Sequence, residues 1–236
     1  MLVRHGGVTV LTDPVLGRRA SPLSFAGPLR RTAAPVDVAG LPPIDVVAIS
    51  HNHYDHLDAA TVRALARRFP RALFLVPLGL KRWFARRGIE NVRELDWWDS
   101  TDVGGATFTF VPARHWSART LWNRNRSLWG GWVMARDGFR FWFAGDTGYS
   151  ERLAAVPIGA YAPRWFMRAQ HVDPAEAVQL HREVGVRRSI AIHWGAFELA
   201  DDALDEPPRL LGEALDAAGM SRDEFLLLNI GGRIAL

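Results

Sequence analysis

Nine consecutive residues, Ser50-His51-Asn52-His53-Tyr54-Asp55-His56-Leu57-Asp58, constrain this chain more than any other stretch in it. They follow an apolar run, residues 45–49, that reads as a buried strand, so the histidines stand on the loop where that strand ends. His51 and His53 are two apart, which lets extended backbone direct both imidazoles to one side, and Asp55 and His56 follow as the chain turns away. One short loop therefore offers four metal-binding groups. Imidazole and carboxylate suit zinc or a similar first-row ion, and two ions would need about three more ligands from elsewhere in the chain. The plain alternative is a polar loop of solvated histidines. Its density of His and Asp directly behind a buried strand speaks against that.

At 236 residues the chain is long enough to bury one large core, and a single domain is expected. It has no cysteine, which excludes disulfides, thiolate catalysis and Cys-ligated zinc, so any metal must be held by His, Asp or Glu. The net charge is +4 and Lys81 is the only lysine. The scattered arginines fit either an anionic substrate or a compositional bias. No run of 18 apolar residues suggests a transmembrane helix, and the first residues lack the apolar core of a signal peptide, so a cytoplasmic location is expected.

Along the chain, Gly6-Gly7 divides residues 2–12 into a hairpin. Asp13, just past it, reads either as an acceptor behind a metal ligand or as an ordinary turn aspartate. Residues 17–43 lack periodicity and read as a long surface loop suited to substrate contacts. Asp58 is placed to cap a helix over 59–69, ended by Pro70. A strand at 73–76, a helix at 80–87 and a strand at 92–95 follow, an alternation that predicts an α/β layered fold. Residues 106–112 alternate as a strand running into His115. Strands at 128–135 and 139–144 flank the hairpin signal Asp137-Gly138 and lead to Gly145-Asp146. Asp173-Pro174-Ala175-Glu176 has the form of a capping box opening a helix to about 184, and a strand at 188–192 ends at His193. Three further strand ends thus present His115, Asp146 and His193, which together with the first loop makes seven groups. His5 and His181 are not placed near the site.

The pattern His51-x-His53-x-Asp55-His56 resembles the signature of the metallo-β-lactamase superfamily. Finer features resemble its N-acylphosphatidylethanolamine-hydrolysing phospholipase D branch: Thr12-Asp13-Pro14, Arg19-Ala20-Ser21-Pro22, the nine-residue loop, His115-Trp116, Leu128-Trp129-Gly130, Ala144-Gly145-Asp146-Thr147-Gly148-Tyr149 and His193-Trp194-Gly195. Two features depart from that branch: a Trp, Gly and His-containing strand ahead of Val8 has no counterpart, and Ser117 stands where a Cys is common. The first leads to the expectation that an upstream strand is missing. The resemblance implies an αββα sandwich with a dinuclear zinc site. His51, His53 and His115 would bind one zinc, Asp55, His56 and His193 the other, and Asp146 would bridge them.

The same resemblance implies a zinc-dependent phosphodiesterase of phospholipase D type, in which a hydroxide between the metals attacks the phosphodiester and Asp55 orients it. The expected partner is a phospholipid or other phosphodiester. Trp116, Trp122, Trp129, Trp132, Trp142, Trp165 and Phe166 exceed the aromatic area a catalytic loop needs. Trp132 and Trp142 are expected in the core, whereas Trp116, Trp165 and Phe166 are candidates for substrate or peripheral membrane contact, with 161–167 read as a loop. Gln170 and His171, just before a helix N-terminus, are candidates for phosphate contact, and His171 for hydrogen bonding or general acid catalysis. The rival readings are a sugar-phosphate lactonase, which would need a small polar pocket, a nuclease, which would show a basic stripe, and a metal-free binding module. No nucleic acid partner is expected.

Overall fold

The computed structural model describes residues 1–148 and 155–235. Tyr149, the last residue of the quoted 144–149 motif, lies outside the described residues. The chain begins with the antiparallel hairpin β1 (Leu2–His5) and β2 (Val8–Thr12), turned by Gly6 and Gly7, both at positive φ. Three parallel strands extend it: β3 (Val46–Ala48), β4 (Leu73–Pro77) and β5 (Val92–Leu95). The crossovers carry α1 (Ala59–Arg68) and α2 (Lys81–Ala85), and the sheet order is β1-β2-β3-β4-β5. Asp58 caps α1 by accepting from the Ala60 N–H at 3.0 Å, an interaction worth about 1 kcal/mol.

The second sheet starts with an antiparallel meander: β6 (Ser100–Val103), β7 (Ala106–Pro112), β8 (Gly130–Arg136) and β9 (Phe139–Phe143). It continues in parallel through β10 (Ala155–Pro157), β11 (Ser189–Ile192) and β12 (Phe225–Leu226). Between these strands lie α3 (Arg164–Met167), α4 (Pro174–Val184) and α5 (Glu206–Ala218), and the order is β12-β11-β10-β9-β8-β7-β6.

Successive side chains on a strand point to opposite faces, and here both faces of each sheet are covered. Val47, Ile49, Phe74 and Val76 pack beneath α1 and α2 with Val62, Leu65 and Phe84. Their neighbours Val46, Ala48 and Leu75 face the other way, onto Phe108, Phe110, Trp132 and Met134 of the second sheet. On the far side, Val156, Ile158 and Ala191 meet Val178, Leu180, Leu211 and Leu215 of α4 and α5. The layers are therefore helix, sheet, sheet, helix, as expected. Trp132 is buried between the sheets and donates to Ile49 O at 2.8 Å, and Trp142 packs against the outer helical layer.

The predicted elements fall where the sequence placed them, with three differences. β8 starts at Gly130 rather than 128, because Leu128 spends its N–H on Leu78 O across the molecule. The helix expected at 80–87 is the shorter α2, running into a turn that ends at Gly88. The segment 161–167 is only partly a loop: behind Pro163, whose fixed φ suits a helix start, Arg164–Met167 wind into α3, tied down by Arg164 to Glu176 at 2.7 Å. β6, β10, α5 and β12 have no counterpart in the sequence reading. α5 did carry a signal, with Pro207 at its start, Leu211 and Leu215 one turn apart on its buried face and Gly219 in the left-handed conformation after its end.

Candidate metal centre

The nine-residue loop leaves β3 at the edge shared by the two sheets, and β7, β9 and β11 end around it. Backbone and hydroxyl bonds lace these exits together. Arg114 N–H donates to Thr147 Oγ1 at 3.0 Å and Gly148 N–H to Arg114 O at 2.8 Å, which sets His115 beside Asp146. Val172 N–H donates to Thr147 O at 3.2 Å and brings His171 to the same place. Gly145 is required here: its φ is +65°, and a Cβ would lie 2.6 Å from Ser50 Cβ. His193 itself sits at φ 62°, an uncommon conformation for a side-chain-bearing residue and one that functional sites accumulate.

All seven expected ligands come together, in two groups. His51, His53 and His115 offer nitrogens within 4.8 Å of one another, and so do the ligand atoms of Asp55, His56, Asp146 and His193. In the first group His53 Nδ1 is 2.8 Å from His51 Nε2 and 3.2 Å from His115 Nε2. In the second, His56 Nε2 lies 3.2 Å from His193 Nε2, 3.3 Å from Asp55 Oδ2 and 3.1 Å from Asp146 Oδ2. Asp146 stands between the groups, with Oδ2 3.9 Å from His51 Nε2 and 3.8 Å from His115 Nε2, and Oδ1 3.2 Å from His193 Nε2.

The two groups differ in charge. Burial pushes His51 well below the ordinary imidazole range, His53 down to about 4 and His115 down to about 3, so all three are neutral with lone pairs to offer. Burial would raise Asp55 and Asp146, but facing imidazoles, His56 for Asp55 and His193 with His56 for Asp146, hold both well below the usual carboxylate range. Burial likewise opposes charge on His56 and His193, yet the carboxylates outweigh it and raise both, Asp146 leading for each. This half demands positive charge.

The donor set fits bound metal ions. Three converging imidazole nitrogens cannot all be satisfied by shared protons, and two protonated Nε2 atoms 3.2 Å apart would repel. The converging nitrogens, His51 Nε2, His53 Nδ1, His115 Nε2, His56 Nε2 and His193 Nε2, face one another and the Asp55 and Asp146 carboxylates, and buried Asp146 Oδ1 makes no hydrogen bond. The tautomers are set from behind: Ser50 Oγ donates to Asp13 Oδ2 at 2.5 Å and must then accept from His51 Nδ1 at 2.9 Å, which frees His51 Nε2. His56 Nδ1 pairs with the same Asp13 Oδ2 at 2.6 Å. One carboxylate oxygen of Asp13 therefore bonds both Ser50, behind His51, and His56 directly.

Of the substrate candidates, Gln170 accepts from Trp116 Nε1 at 2.5 Å, and Trp116 packs edge-on against His53 with ring centres 4.4 Å apart. His171 is buried, 7% exposed, with Nε2 4.0 Å from Asp146 Oδ2 and its ring between those of His115 and His193. Trp165 and Phe166 meet edge-on and stay exposed, at 87% and 58%. A cavity of about 270 Å³ opens on Asp55, His56 and His193 and is walled by Arg30, Trp194 and Phe197. Sequence reasoning missed Arg30 and Phe197, which a β-bridge joins across the 17–43 loop, and Arg119. His5 and His181 lie outside the cluster, His181 bonded to Ser189 Oγ at 2.9 Å and His5 stacked on Phe139.

With this geometry, comparison with known proteins is informative. A family model described as a beta-lactamase superfamily domain matches residues 8–194. The chain belongs to that superfamily. Within it, the chain is 40% identical to N-acyl-phosphatidylethanolamine-hydrolyzing phospholipase D 1 of Caenorhabditis elegans, over 98% of this chain and 72% of that protein. It is 31% identical to the mitochondrial N-acyl-phosphatidylethanolamine-hydrolyzing phospholipase D of Saccharomyces cerevisiae, over 96% of this chain but only 52% of the yeast protein. Among solved structures, the isothiocyanate hydrolase from Delia radicum gut bacteria superposes with a TM-score of 0.75 at 19% identity, covering 100% of this chain and 95% of that one, a likeness of fold. The resemblance to the phospholipase D branch thus stands, and the protein is a metallo-hydrolase of the beta-lactamase superfamily.

Proposed function

We propose that the protein is a zinc-dependent phosphodiesterase of phospholipase D type that hydrolyses N-acylphosphatidylethanolamine-like lipids. The observation that carries the metal part is Asp146 Oδ2, a single oxygen 3.1 Å from His56 Nε2 and 3.8 Å from His115 Nε2, shared between three imidazoles on one side and Asp55, His56 and His193 on the other. In this reading His51, His53 and His115 would hold one zinc, Asp55, His56 and His193 would hold the second, and Asp146 would serve both. A zinc pair supplies a water of low pKa and neutralises charge on phosphoryl oxygens. The substrate class is carried by the names of the two phospholipase D relatives.

The chain's own groups then divide the work. Water oxygen bonds to phosphorus, the bond from phosphorus to the ethanolamine oxygen breaks, and the departing alkoxide takes the proton that the attacking water gives up; the products are phosphatidic acid and an N-acylethanolamine. Asp55 orients the attacking water. His171, lowered by burial and therefore neutral, donates its N–H to a phosphoryl oxygen or to the departing alkoxide. Its placement is firm, because Arg164 Nη1 donates to its carbonyl at 2.9 Å. Trp116, edge-on to His53, and Gln170, bonded to Trp116, are the proposed contacts for the lipid beside the metal ligands. Leu121 and Trp122, 91% and 83% exposed, and Trp165 and Phe166 on α3 offer apolar tips for a lipid surface. Among the described residues no helix is long and apolar enough to cross a membrane. The cytoplasm is the compartment proposed.

A second reading, a hydrolase of small molecules such as sugar-phosphate lactones, is favoured by the cavity of about 270 Å³, which is small for a two-chain lipid. Parallel assays of the zinc-loaded protein on N-acylphosphatidylethanolamine, bis(p-nitrophenyl) phosphate and a lactone panel separate the two. Turnover of both phosphodiesters with inert lactones supports the first; the reverse pattern overturns it.

A further inference from the structure

One side chain grips the ligand loop from outside at two points. Arg119 lies four residues beyond His115, on the loop between β7 and β8, and its Nη1 donates to Asn52 O at 2.9 Å and to Leu57 O at 2.7 Å. Those carbonyls bracket His53, Tyr54, Asp55 and His56, three of the expected ligands and the tyrosine among them. Inside the bracket the chain makes one tight turn, with the N–H groups of His56 and Leu57 both donating to His53 O, at 3.2 and 2.8 Å.

Tyr54 and Arg119 also grip each other. The guanidinium carbon stands 3.9 Å from the Tyr54 ring centre, and the Tyr54 hydroxyl donates back to Arg119 O at 2.9 Å. Trp83 approaches the same guanidinium at 5.1 Å. A planar guanidinium can use its edge for two carbonyls and its face for a ring at once, which an ammonium cannot. Burial lowers its pKa to about 10, which leaves it charged at neutral pH.

The loop that presents Arg119 is stiff. Asn123 Oδ1 accepts from the N–H groups of Arg119 and Thr120 at 2.9 and 2.8 Å, Asn125 N–H donates to Ser117 O at 2.7 Å, and Ser117 Oγ donates to Ser127 O at 2.6 Å. Asn52 Nδ2 adds a direct bond to Ser127 Oγ at 3.0 Å. The same loop begins beside His115, so one rigid segment carries a ligand of the three-imidazole half and fixes the turn that carries ligands of both halves.

We propose that Arg119 is a positioning residue of the metal centre: by pinning both ends of the 53–56 turn it aims His53 at His51 and His115, and Asp55 and His56 at His193 and Asp146. The inference rests on the two-ion reading above. Its test compares the full chain with Arg119→Ala and Arg119→Lys, each loaded with cobalt(II) or zinc, by chelator competition, by the visible absorption of bound cobalt and by thermal unfolding of the metal-free forms. Removing a group that orients metal ligands lowers affinity about 10–100-fold, so Arg119→Ala is expected to weaken both ions by that factor and to alter the cobalt spectrum, with partial recovery in Arg119→Lys. A purely structural role would shift the metal-free melting point and leave affinity and spectrum of the folded variant as in the parent; that result overturns the proposal. If Arg119→Ala does not fold, Arg119→Lys decides, because it keeps the charge and loses the fork: unchanged affinity and spectrum overturn the proposal, weaker affinity with a changed spectrum supports it. A parent protein that takes up no metal sinks the two-ion reading instead, and this inference with it.

Discussion

The two halves of the candidate centre both rest on buried histidines and solve opposite electrostatic problems. His51, His53 and His115 are neutral because burial holds them down, to about 4 and about 3 for the last two, so this half is a ready set of lone pairs. Asp55 and Asp146 stay ionised and raise His56 and His193, so the other half gathers positive charge whatever its source. A cation would enter the first half without displacing a proton, whereas in the second it would compete with protons. The difference teaches that buried histidine is not one chemical environment: a nearby carboxylate, more than burial itself, decides whether it waits for metal with a free lone pair or with a proton on it.

The largest expected effect erases the contrast. Loss of an outer partner of a ligand costs about 10–100-fold in affinity, and Asp146→Ala, which removes an oxygen shared by both halves, is expected to exceed that for both ions. His115→Ala should empty only the three-imidazole half. Metal analysis checks both, and retention of either ion in Asp146→Ala contradicts the shared carboxylate.

Proton competition gives the next effect. Folded-state pKa values of His56 and His193 are raised, so below those values each metal uptake must displace protons, and affinity in that half falls by about a decade per pH unit per proton as pH drops. The three-imidazole half meets such competition only near the depressed values of about 4 and about 3. Zinc release followed from pH 8 downward should therefore proceed in two steps, the Asp-containing half first. Release of both ions in a single step would break the comparison.

A smaller effect separates the halves from behind. Asp13→Ala removes the partner of His56 Nδ1 at 2.6 Å and the anchor of Ser50, and is expected to weaken zinc in the Asp-containing half by about 10–100-fold. Ser50→Ala, which touches His51 Nδ1 at 2.9 Å, should weaken chiefly the other half. Competition titrations of the two variants read the asymmetry, and identical profiles would show that Asp13 and Ser50 act as one unit. The smallest effect on metal belongs to His171→Ala, which should retain both ions while phosphodiester turnover drops by about 10²–10³ and lactone turnover drops less. Equal losses on both substrates would reduce His171 to a support for the loop.

Much of this was legible in the sequence for reasons of local geometry. The alternating run at 106–112, the Asp137-Gly138 turn with the strand at 139–144 behind it and the capping box at Asp173 are decided within a few residues, and the strands, hairpin and helix they predict are present. The four-ligand loop was legible for the same reason. α3 and the start of β8 were not, because partners distant in sequence decide them: Glu176 for Arg164, and Leu78 for Leu128. Arg30, Phe197 and Arg119 carry no local signal at all, since an arginine or phenylalanine in a loop reads alike whether it faces solvent or braces a site.

By itself, then, the sequence determined which residue types could hold metal and that each follows a strand, since strand periodicity and turn chemistry act over a handful of neighbours. The packing of two sheets decided the rest: that four strand exits meet at one edge, that a single oxygen of Asp146 lies between three imidazoles and a second cluster, that Asp13 reaches back to both Ser50 and His56, and that Arg119 closes its guanidinium over the loop. Those relations join residues far apart in the chain, 37 positions between Ser50 and Asp13 and 137 between His56 and His193, and arise only once the cores on both faces of each sheet have closed.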